Sequence, residues 1–289
     1  MSISGKRLFE ILMEDVYKYF IIDINFDVDL KTNLKKGYFS SAVVGDKKTI
    51  LIHKDAALKE IDNIEDFLYF TFIFCHELAH CLNGHINYAD EDEIDSKAIE
   101  AWADYSSTLF GFELLYYGEN TSKILKNYLG ENFKLEELLV HAANTIAEMY
   151  NTIFGDSDTN KYPLPSSRFH LSINGISAFF IDKFSVESRL LVTWLILNNI
   201  PQEIIVDVGK YEVTESLDDD KKEKVVLTKK ILKIHHKIQN GQSAITNGLL
   251  MQNSVFATNY NALSEEERES LRDIMKKLYL AEYERIFQK

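Results

Sequence analysis

The sequence predicts an α+β fold that is mostly helical, with a small N-terminal sheet packed on two central helices and a helical C-terminal part. Three observations lead to this prediction. Short runs rich in β-branched residues lie close together near the N-terminus, and longer segments with helix-capping residues and apolar periodicity follow them. The chain has 289 residues, of which 46% are hydrophobic, so it can bury a substantial core.

The N-terminal elements follow from their residue types. A helix is predicted over Arg7–Phe20. Strands are predicted over Ile21–Val28, Gly37–Val44 and Thr49–His53, where apolar residues alternate or run together. The turn residues 45–48 are expected to join the last two strands into a hairpin.

The first central helix is expected to begin after Asn63, a good N-cap residue, and its run Phe67–Cys75 is apolar on every face. Next comes the sequence HELAH, in which His76 and His80 lie one helical turn apart and therefore share a face. Glu77 stands beside them. This is the HExxH pattern of zinc metallopeptidases, in which the two imidazoles bind Zn²⁺ and the glutamate acts as general base.

A catalytic zinc ion needs a third protein ligand and one open position. A second helix, capped by Asp95 or Ser96, carries Glu100 and Asp104 four residues apart, so these two carboxylates share a face. The neighbouring alanines are small enough for this helix to approach the first one closely.

The two motifs together, HExxH and then ExxxD after a gap of nineteen residues, resemble those of the thermolysin-like gluzincins. The resemblance covers about 50 residues. It implies that Glu100 is the third zinc ligand and that Asp104 holds the ring of His76 through its outer nitrogen. It also implies that Glu77 assists the attack of a zinc-bound water on a peptide bond.

The segments HExAHxxNGH and AIExxAD also resemble the phage-exclusion peptidases of the Lit type. This resemblance implies a selective cytoplasmic endopeptidase of phage-defence or regulatory type, with a protein or peptide as substrate. Two other functions remain open: a metal-dependent hydrolase of small amides or peptides, and a zinc-stabilised protein-binding module without turnover.

Thermolysin-like enzymes stabilise the oxyanion of the tetrahedral intermediate with a downstream histidine, and the resemblance suggests His170 for this role, with Arg168 second. Both lie in the proline-containing segment Lys161–Asn174, which we expect to be a rigid, extended border of a cleft. A purely structural role for each stays open. Those enzymes also use a tyrosine in the region where Tyr88 stands, although its position does not match closely.

Other metal patterns fit less well. Metzincins need a third histidine where this chain has Ile86 and a glycine where it has Asn83. His85 is therefore expected to be a cation near the helix C-terminus and not a ligand. Cys75 and Cys81 would be about 9 Å apart along one helix, too far to bridge, and are expected to be buried thiols. The acidic loop 87–95 lacks the calcium-loop order and is expected to be solvated.

The net charge of −13 argues against nucleic acid and anionic membranes as partners. The N-terminus lacks the pattern of a signal peptide, and no apolar run approaches the ~20 residues needed to span a bilayer. These features predict a cytoplasmic protein.

We expect a zincin-like catalytic domain over residues 1–200 and a mixed α/β extension over residues 201–289. In the extension, Glu203–Glu215 is predicted to be a strand because of its β-branched residues. A final amphipathic helix is predicted to begin after the capping residue Ser264.

Overall fold

The computed structural model describes residues 2–19, 28–34, 39–44, 47–82, 85, 93–155, 158–183, 186–214, 230 and 233. These residues form a mostly helical structure with a small amount of sheet, which confirms the predicted α+β class. Among them, none of the helices combines the length and the apolar character that a membrane crossing requires.

In the described part of the N-terminal region there are five short strands: β1 (Ile3–Ser4), β2 (Val28–Leu34), β3 (Phe39–Val44), β4 (Lys47–His53) and β5 (Glu60–Ile61). Strands β2, β4 and β3 form a three-stranded sheet in that order, and β1 pairs with β5. The β3–β4 pair is antiparallel, with Val44 opposite Lys47, so the predicted hairpin is confirmed. Strand β2 runs parallel to β4. The predicted strand Ile21–Val28 lies, except for Val28, outside the described residues.

The helices in chain order are α1 (Gly5–Tyr19), α2 (Lys54–Leu58), α3 (Ile64–Leu82), α4 (Glu93–Tyr117), α5 (Glu119–Leu129), α6 (Leu135–Met149), α7 (Pro165–Lys183), α8 (Val186–Asn199) and α9 (Gln202–Thr214). A π-helical turn, Tyr150–Phe154, continues α6. Helix α3 contacts α4, α6, α1 and the strands β3 and β4, so it runs through the middle of the structure. Helix α4 in turn packs along α7.

Local chemistry explains where α3 begins and why it is buried. Asn63 Oδ1 accepts a hydrogen bond from the backbone N–H of Asp66 at 2.8 Å, which is the predicted cap. The side chains of the apolar run Phe67–Cys75 are buried apart from Tyr69, which is partly buried. Because apolar residues surround the helix axis, α3 can be covered by a sheet and by helices at the same time.

Glycines permit two close helix approaches. A Cβ atom on Gly111 of α4 would lie 2.6 Å from the ring of Phe72 on α3. A Cβ atom on Gly175 of α7 would overlap Thr108 Oγ1 and the Tyr105 carbonyl oxygen of α4. Thr108 Oγ1 also donates to the carbonyl oxygen of Ser172 at 2.6 Å. These contacts fix the registers of α3, α4 and α7 against one another.

Several predicted boundaries are wrong. Helix α4 begins at Glu93, before the predicted caps, and α5 begins at Glu119, where no helix was predicted. The N-terminus of α5 is held by Asp15 of α1, whose buried carboxylate accepts hydrogen bonds from the backbone of Asn120 and Thr121. A capping group supplied from 105 residues away leaves no local signal in the sequence.

The predicted extended segment Lys161–Asn174 is also wrong, because α7 begins at Pro165. Proline fits the first position of a helix, where its missing N–H costs nothing. The predicted strand Glu203–Glu215 is instead helix α9. Ile204 and Val208, one turn apart, are buried, whereas Val206 is 48% exposed. A strand would have placed all three on the same face.

Helix α9 joins the main core through Ile204 and Val208. Asp207 also accepts a hydrogen bond from the hydroxyl of Tyr150 at 2.8 Å. The first residues of the proposed extension therefore pack with the preceding helices. The predicted final helix after Ser264 lies outside the described residues.

Candidate metal centre

Helix α3 presents His76 and His80 on one face, as their spacing predicts. Their Nε2 atoms are 3.2 Å apart, and the two ring centroids are separated by 4.9 Å. The apolar residues before them anchor the helix in the core, so its last turns hold the two rings at fixed positions. Both imidazoles therefore turn the same nitrogen towards one point.

Helix α4 brings Glu100 to that point. Its Oε2 atom lies 3.3 Å from His76 Nε2 and 3.6 Å from His80 Nε2. One ligand atom from each of the three side chains lies within 4.8 Å of the other two. His76, His80 and Glu100 therefore form a group that could hold a metal ion, here called the metal group.

The chemistry of this group fits a cation. Glu100 Oε2 is buried and accepts no well-aligned hydrogen bond from the described residues, although both histidines face it. Burial raises the pKa of Glu100, but the charges of His80 and His76 beside it hold it well below its ordinary value. Burial lowers the pKa of His76, and its contacts with the carboxylates of Asp104 and Glu100 raise it to about 10. A metal ion would thus take the place of a proton between these groups.

Asp104, one turn after Glu100 on α4, supports the outer side of His76. Its Oδ1 atom lies 3.2 Å from His76 Nδ1, in the arrangement expected for a group that orients a metal ligand. Asp104 is 1% exposed, and it is balanced by Arg168 of α7. Arg168 Nε and Nη2 donate to its two carboxylate oxygens at 2.7 and 2.9 Å. Burial raises the pKa of Asp104, and the charge of Arg168 and the hydrogen bond to His76 hold it below its ordinary value.

His85 lies against the outer side of His80. The Nδ1 atoms of the two rings are 3.1 Å apart, and the rings meet edge-on at an interplanar angle of 70°. His85 is only 4% exposed. His85 follows the end of α3, as expected, but its ring is buried against a member of the metal group, so its charge stays a prediction.

A cleft of about 1000 Å³ opens beside the metal group. His76, Glu77 and Asp104 line it at the metal group, and Glu77 is only partly buried. Apolar and aromatic side chains line much of the remainder: Phe39, Tyr69, Phe70, Ile73, Met149, Ile153 and Phe154. A partly buried carboxylate beside the metal group, open to a cleft, can accept a proton from a molecule bound there.

Tyr162 is a cleft residue that the sequence analysis missed. The charge of Glu100 and burial raise its pKa to about 12, so its hydroxyl stays protonated as a donor. Arg168 stacks on its ring, with the guanidinium carbon 4.8 Å from the ring centroid. Tyr162 precedes α7 in an irregular segment, where neither helical nor strand periodicity marks a residue that faces a site.

The remaining predicted site residues have different surroundings. His170 is partly buried on α7 and does not line the cleft. Being two residues after Arg168, it points about 200° away from it around the helix axis. Arg168 lines the cleft, but it uses two of its nitrogens on Asp104. Tyr88 lies outside the described residues, as does most of the acidic loop 87–95.

The two cysteines are free, buried thiols, as predicted. Burial raises the pKa of Cys75 well above its ordinary value and, together with the charge of Glu77, raises that of Cys81 to about 12. Neither belongs to the metal group. The metal group of the described residues therefore consists of two imidazoles and one carboxylate.

The fold and the site define a mostly helical α+β protein with a His₂Glu group able to hold a metal ion at the edge of a cleft. No protein-family model, no curated protein and no solved structure matches the chain.

Proposed function

We propose that this protein is a zinc-dependent endopeptidase of the gluzincin type. The observation that supports this most directly is the convergence of His76, His80 and Glu100 beside a cleft that His76 and Glu77 line. The narrower proposal, a selective cytoplasmic peptidase of phage-defence or regulatory type, rests on the resemblance of its short motifs to the phage-exclusion peptidases of the Lit type.

Zinc is the metal that this donor set suits best. Two imidazoles and one carboxylate are a ligand set of catalytic zinc sites, whereas calcium and magnesium prefer oxygen ligands throughout. Three protein ligands leave one position open. When bound, zinc supplies positive charge that polarises a peptide carbonyl and makes a water molecule acidic enough to lose a proton near pH 7.

The protein's own residues would carry the proton transfers. Glu77 accepts a proton from the attacking water as the water oxygen forms a bond to the peptide carbon. It passes this proton to the amine nitrogen as the carbon–nitrogen bond breaks. The hydroxyl of Tyr162, still protonated, is the donor best suited to the carbonyl oxygen as negative charge develops there. Asp104 keeps the ring of His76 in place during these steps.

The size and lining of the cleft support a peptide as substrate. About 1000 Å³ lies at the upper end of the range for small-molecule pockets, so an extended chain would fill it better than a small amide. Its apolar lining offers surface for hydrophobic side chains.

The charges along the cleft favour a basic side chain in the substrate. Asp55, Glu148 and Asp158 line it. Of the described residues that line it, the two cations other than histidine are already engaged, because Lys59 contacts Asp66 at 2.5 Å and Arg168 contacts Asp104. Cleavage sites identified in a lysate should therefore be enriched in lysine or arginine near the cut bond. A set of sites without this enrichment would contradict the proposed preference.

The variant Glu77→Gln tests the chemistry. It keeps the shape of the side chain but cannot accept the proton, so turnover should fall by at least about a hundredfold. Zinc content and the thermal unfolding midpoint should stay close to those of the wild type, because Glu77 is not a ligand. Proteolysis of a whole-cell lysate, compared between the two proteins by mass spectrometry of new peptide ends, measures the difference.

A change of a carboxylate outside the cleft provides the control. Glu119→Gln removes a charge of the same kind from the surface helix α5, where Glu119 pairs with Lys123 at 3.1 Å, and should leave cleavage unchanged. New peptide ends that persist with Glu77→Gln would show that Glu77 is not the base. A wild type that binds zinc but cleaves nothing would favour a zinc-stabilised binding protein instead.

A further inference from the structure

The contact between His80 and His85 has no counterpart in the roles assigned so far. His80 turns Nε2 towards His76 and Glu100, at 3.2 and 3.6 Å, and turns Nδ1 towards His85 Nδ1 at 3.1 Å. Both rings are largely buried. His85 stands three residues beyond Leu82, the last residue of α3, so helical geometry does not impose the contact.

The short distance between the two Nδ1 atoms, together with metal binding through His80 Nε2, determines which ring nitrogens carry protons. Two ring nitrogens 3.1 Å apart form a hydrogen bond only if one carries a proton and the other offers a lone pair. A His80 that binds a metal ion through Nε2 needs its lone pair on that atom, so its proton lies on Nδ1. His85 Nδ1 must then be the acceptor, and the proton of His85 must lie on its Nε2.

We propose that His85 is a positioning residue of the metal centre: by accepting the Nδ1 proton of His80, it fixes the tautomer and ring orientation in which His80 Nε2 binds a metal ion. The proposal rests on the metal site of the proposed function but not on peptide hydrolysis. Partners of this kind typically affect metal affinity by about 10–100-fold.

The same contact argues against His85 as a ligand. Its Nδ1 atom lies beside Nδ1 of His80, whereas Nε2 of His80, on the other side of the ring, faces the other members of the metal group. The two histidines of α3 therefore have different outer partners. His76 has the carboxylate of Asp104, and His80 has the ring of His85, which as a proton acceptor brings no further negative charge to the site.

Zinc affinity, measured by competition with a chromophoric chelator, tests the proposal with two variants. His85→Phe keeps a flat ring but removes the acceptor, and it should weaken zinc binding about 10–100-fold. His85→Gln retains an acceptor oxygen and should bind zinc within about threefold of the wild type. The visible spectrum of the cobalt-substituted proteins should change in the same order, since it reports ligand geometry.

His141→Phe is the matched control. His141 is a partly buried histidine on α6 whose Nδ1 atom faces Glu65 at 2.7 Å, and it does not belong to the metal group. Its replacement should leave zinc affinity unchanged. Equal affinities of folded His85→Phe and wild type would overturn the proposal, as would equal losses in His85→Phe and His85→Gln.

A measurement on the wild type covers the case in which His85→Phe does not fold. Long-range ¹H–¹⁵N correlation spectra of the zinc-loaded protein should show His80 protonated on Nδ1 and His85 neutral and protonated on Nε2. A metal-coupled signal from His85 in the ¹¹³Cd-substituted protein would refute the proposal, and so would a wild type without measurable zinc affinity. Failure of peptide hydrolysis alone would count against the proposed function and leave this result standing.

Discussion

Arg168 illustrates how a single residue supports the metal centre without belonging to it. Its guanidinium forms a two-point contact with Asp104, and it also lies over the rings of Phe154 and Tyr162, 4.5 and 4.8 Å from their centroids. It is 2% exposed. A buried charge of this kind is stable only while its partner keeps the opposite charge.

Removing one member of this pair should therefore be costly. Arg168→Met leaves the Asp104 carboxylate buried beside His76, and we expect a loss of about 3–5 kcal/mol in the free energy of unfolding, measured by urea denaturation. The double variant Arg168→Met with Asp104→Asn should lose less than the sum of the two single variants, because no unpaired charge remains. Additive losses would mean that the contact contributes little coupling energy.

Tyr162 and His170 are competing candidates for the residue that stabilises the oxyanion. The resemblance of the motifs suggested His170 as oxyanion donor, whereas the cleft contains Tyr162 and not His170. Tyr162→Phe should lower kcat about 10²–10³-fold with a small change in KM, as removal of an oxyanion donor does. His170→Phe should leave both constants near the wild-type values. A large loss of kcat in His170→Phe alone would restore the original assignment.

The relation between helices α4 and α7 decides whether Arg168 reaches Asp104. Gly175 allows the two helices to touch, and the hydrogen bond from Thr108 to Ser172 fixes their relative position. Asp104 lies on α4 and Arg168 on α7, so a shift between these elements would separate their charges. The support of His76 is therefore a property of helix packing.

Gly175→Ala tests this packing. The added Cβ atom would overlap backbone and side-chain atoms of α4, so the helices must move apart, and we expect a loss of about 1–3 kcal/mol in unfolding free energy. Gly209→Ala is the control, because a Cβ atom at this position of α9 meets no heavy atom within 4 Å. It should gain about 0.5–1 kcal/mol from helix propensity. Similar behaviour of the two variants in thermal unfolding would contradict the role of the close approach.

Helices and strands can be predicted from the sequence where the residues that determine them are close together in the chain. The cap at Asn63, the apolar run of α3 and the one-turn spacings are short-range features, and the structure has them as predicted. Helix α9 was predicted as a strand because Ile204, Val206 and Val208 are β-branched, yet the burial of Ile204 and Val208, one turn apart, favours a helix. Contacts such as Arg168 to Asp104 depend on tertiary packing, which no local pattern encodes.

The metal group lies on two packed helices, α3 and α4, which hold its three side chains together without a metal ion. A zinc ion that binds only the folded protein should therefore raise the unfolding midpoint, and the stabilisation should grow with the logarithm of the free zinc concentration once this exceeds Kd. The gain is about 4 kcal/mol at roughly a thousandfold excess over Kd.

Differential scanning calorimetry with increasing zinc, and again after a chelator, measures this stabilisation. Glu100→Ala removes the ligand from α4 and should abolish most of the response, while the metal-free protein remains folded. A midpoint that does not depend on zinc in the wild type would contradict a specific metal site.

The order of the chain adds a consequence for biosynthesis. The three candidate ligands and Glu77 are all translated by residue 100, but Tyr162 and Arg168 emerge from the ribosome some sixty residues later. A nascent chain that ends before α7 would expose Asp104 without its counter-charge. Under the proposed function, the chain would gain a complete active site only when α7 docks, and neighbouring nascent chains would not be cleaved before then.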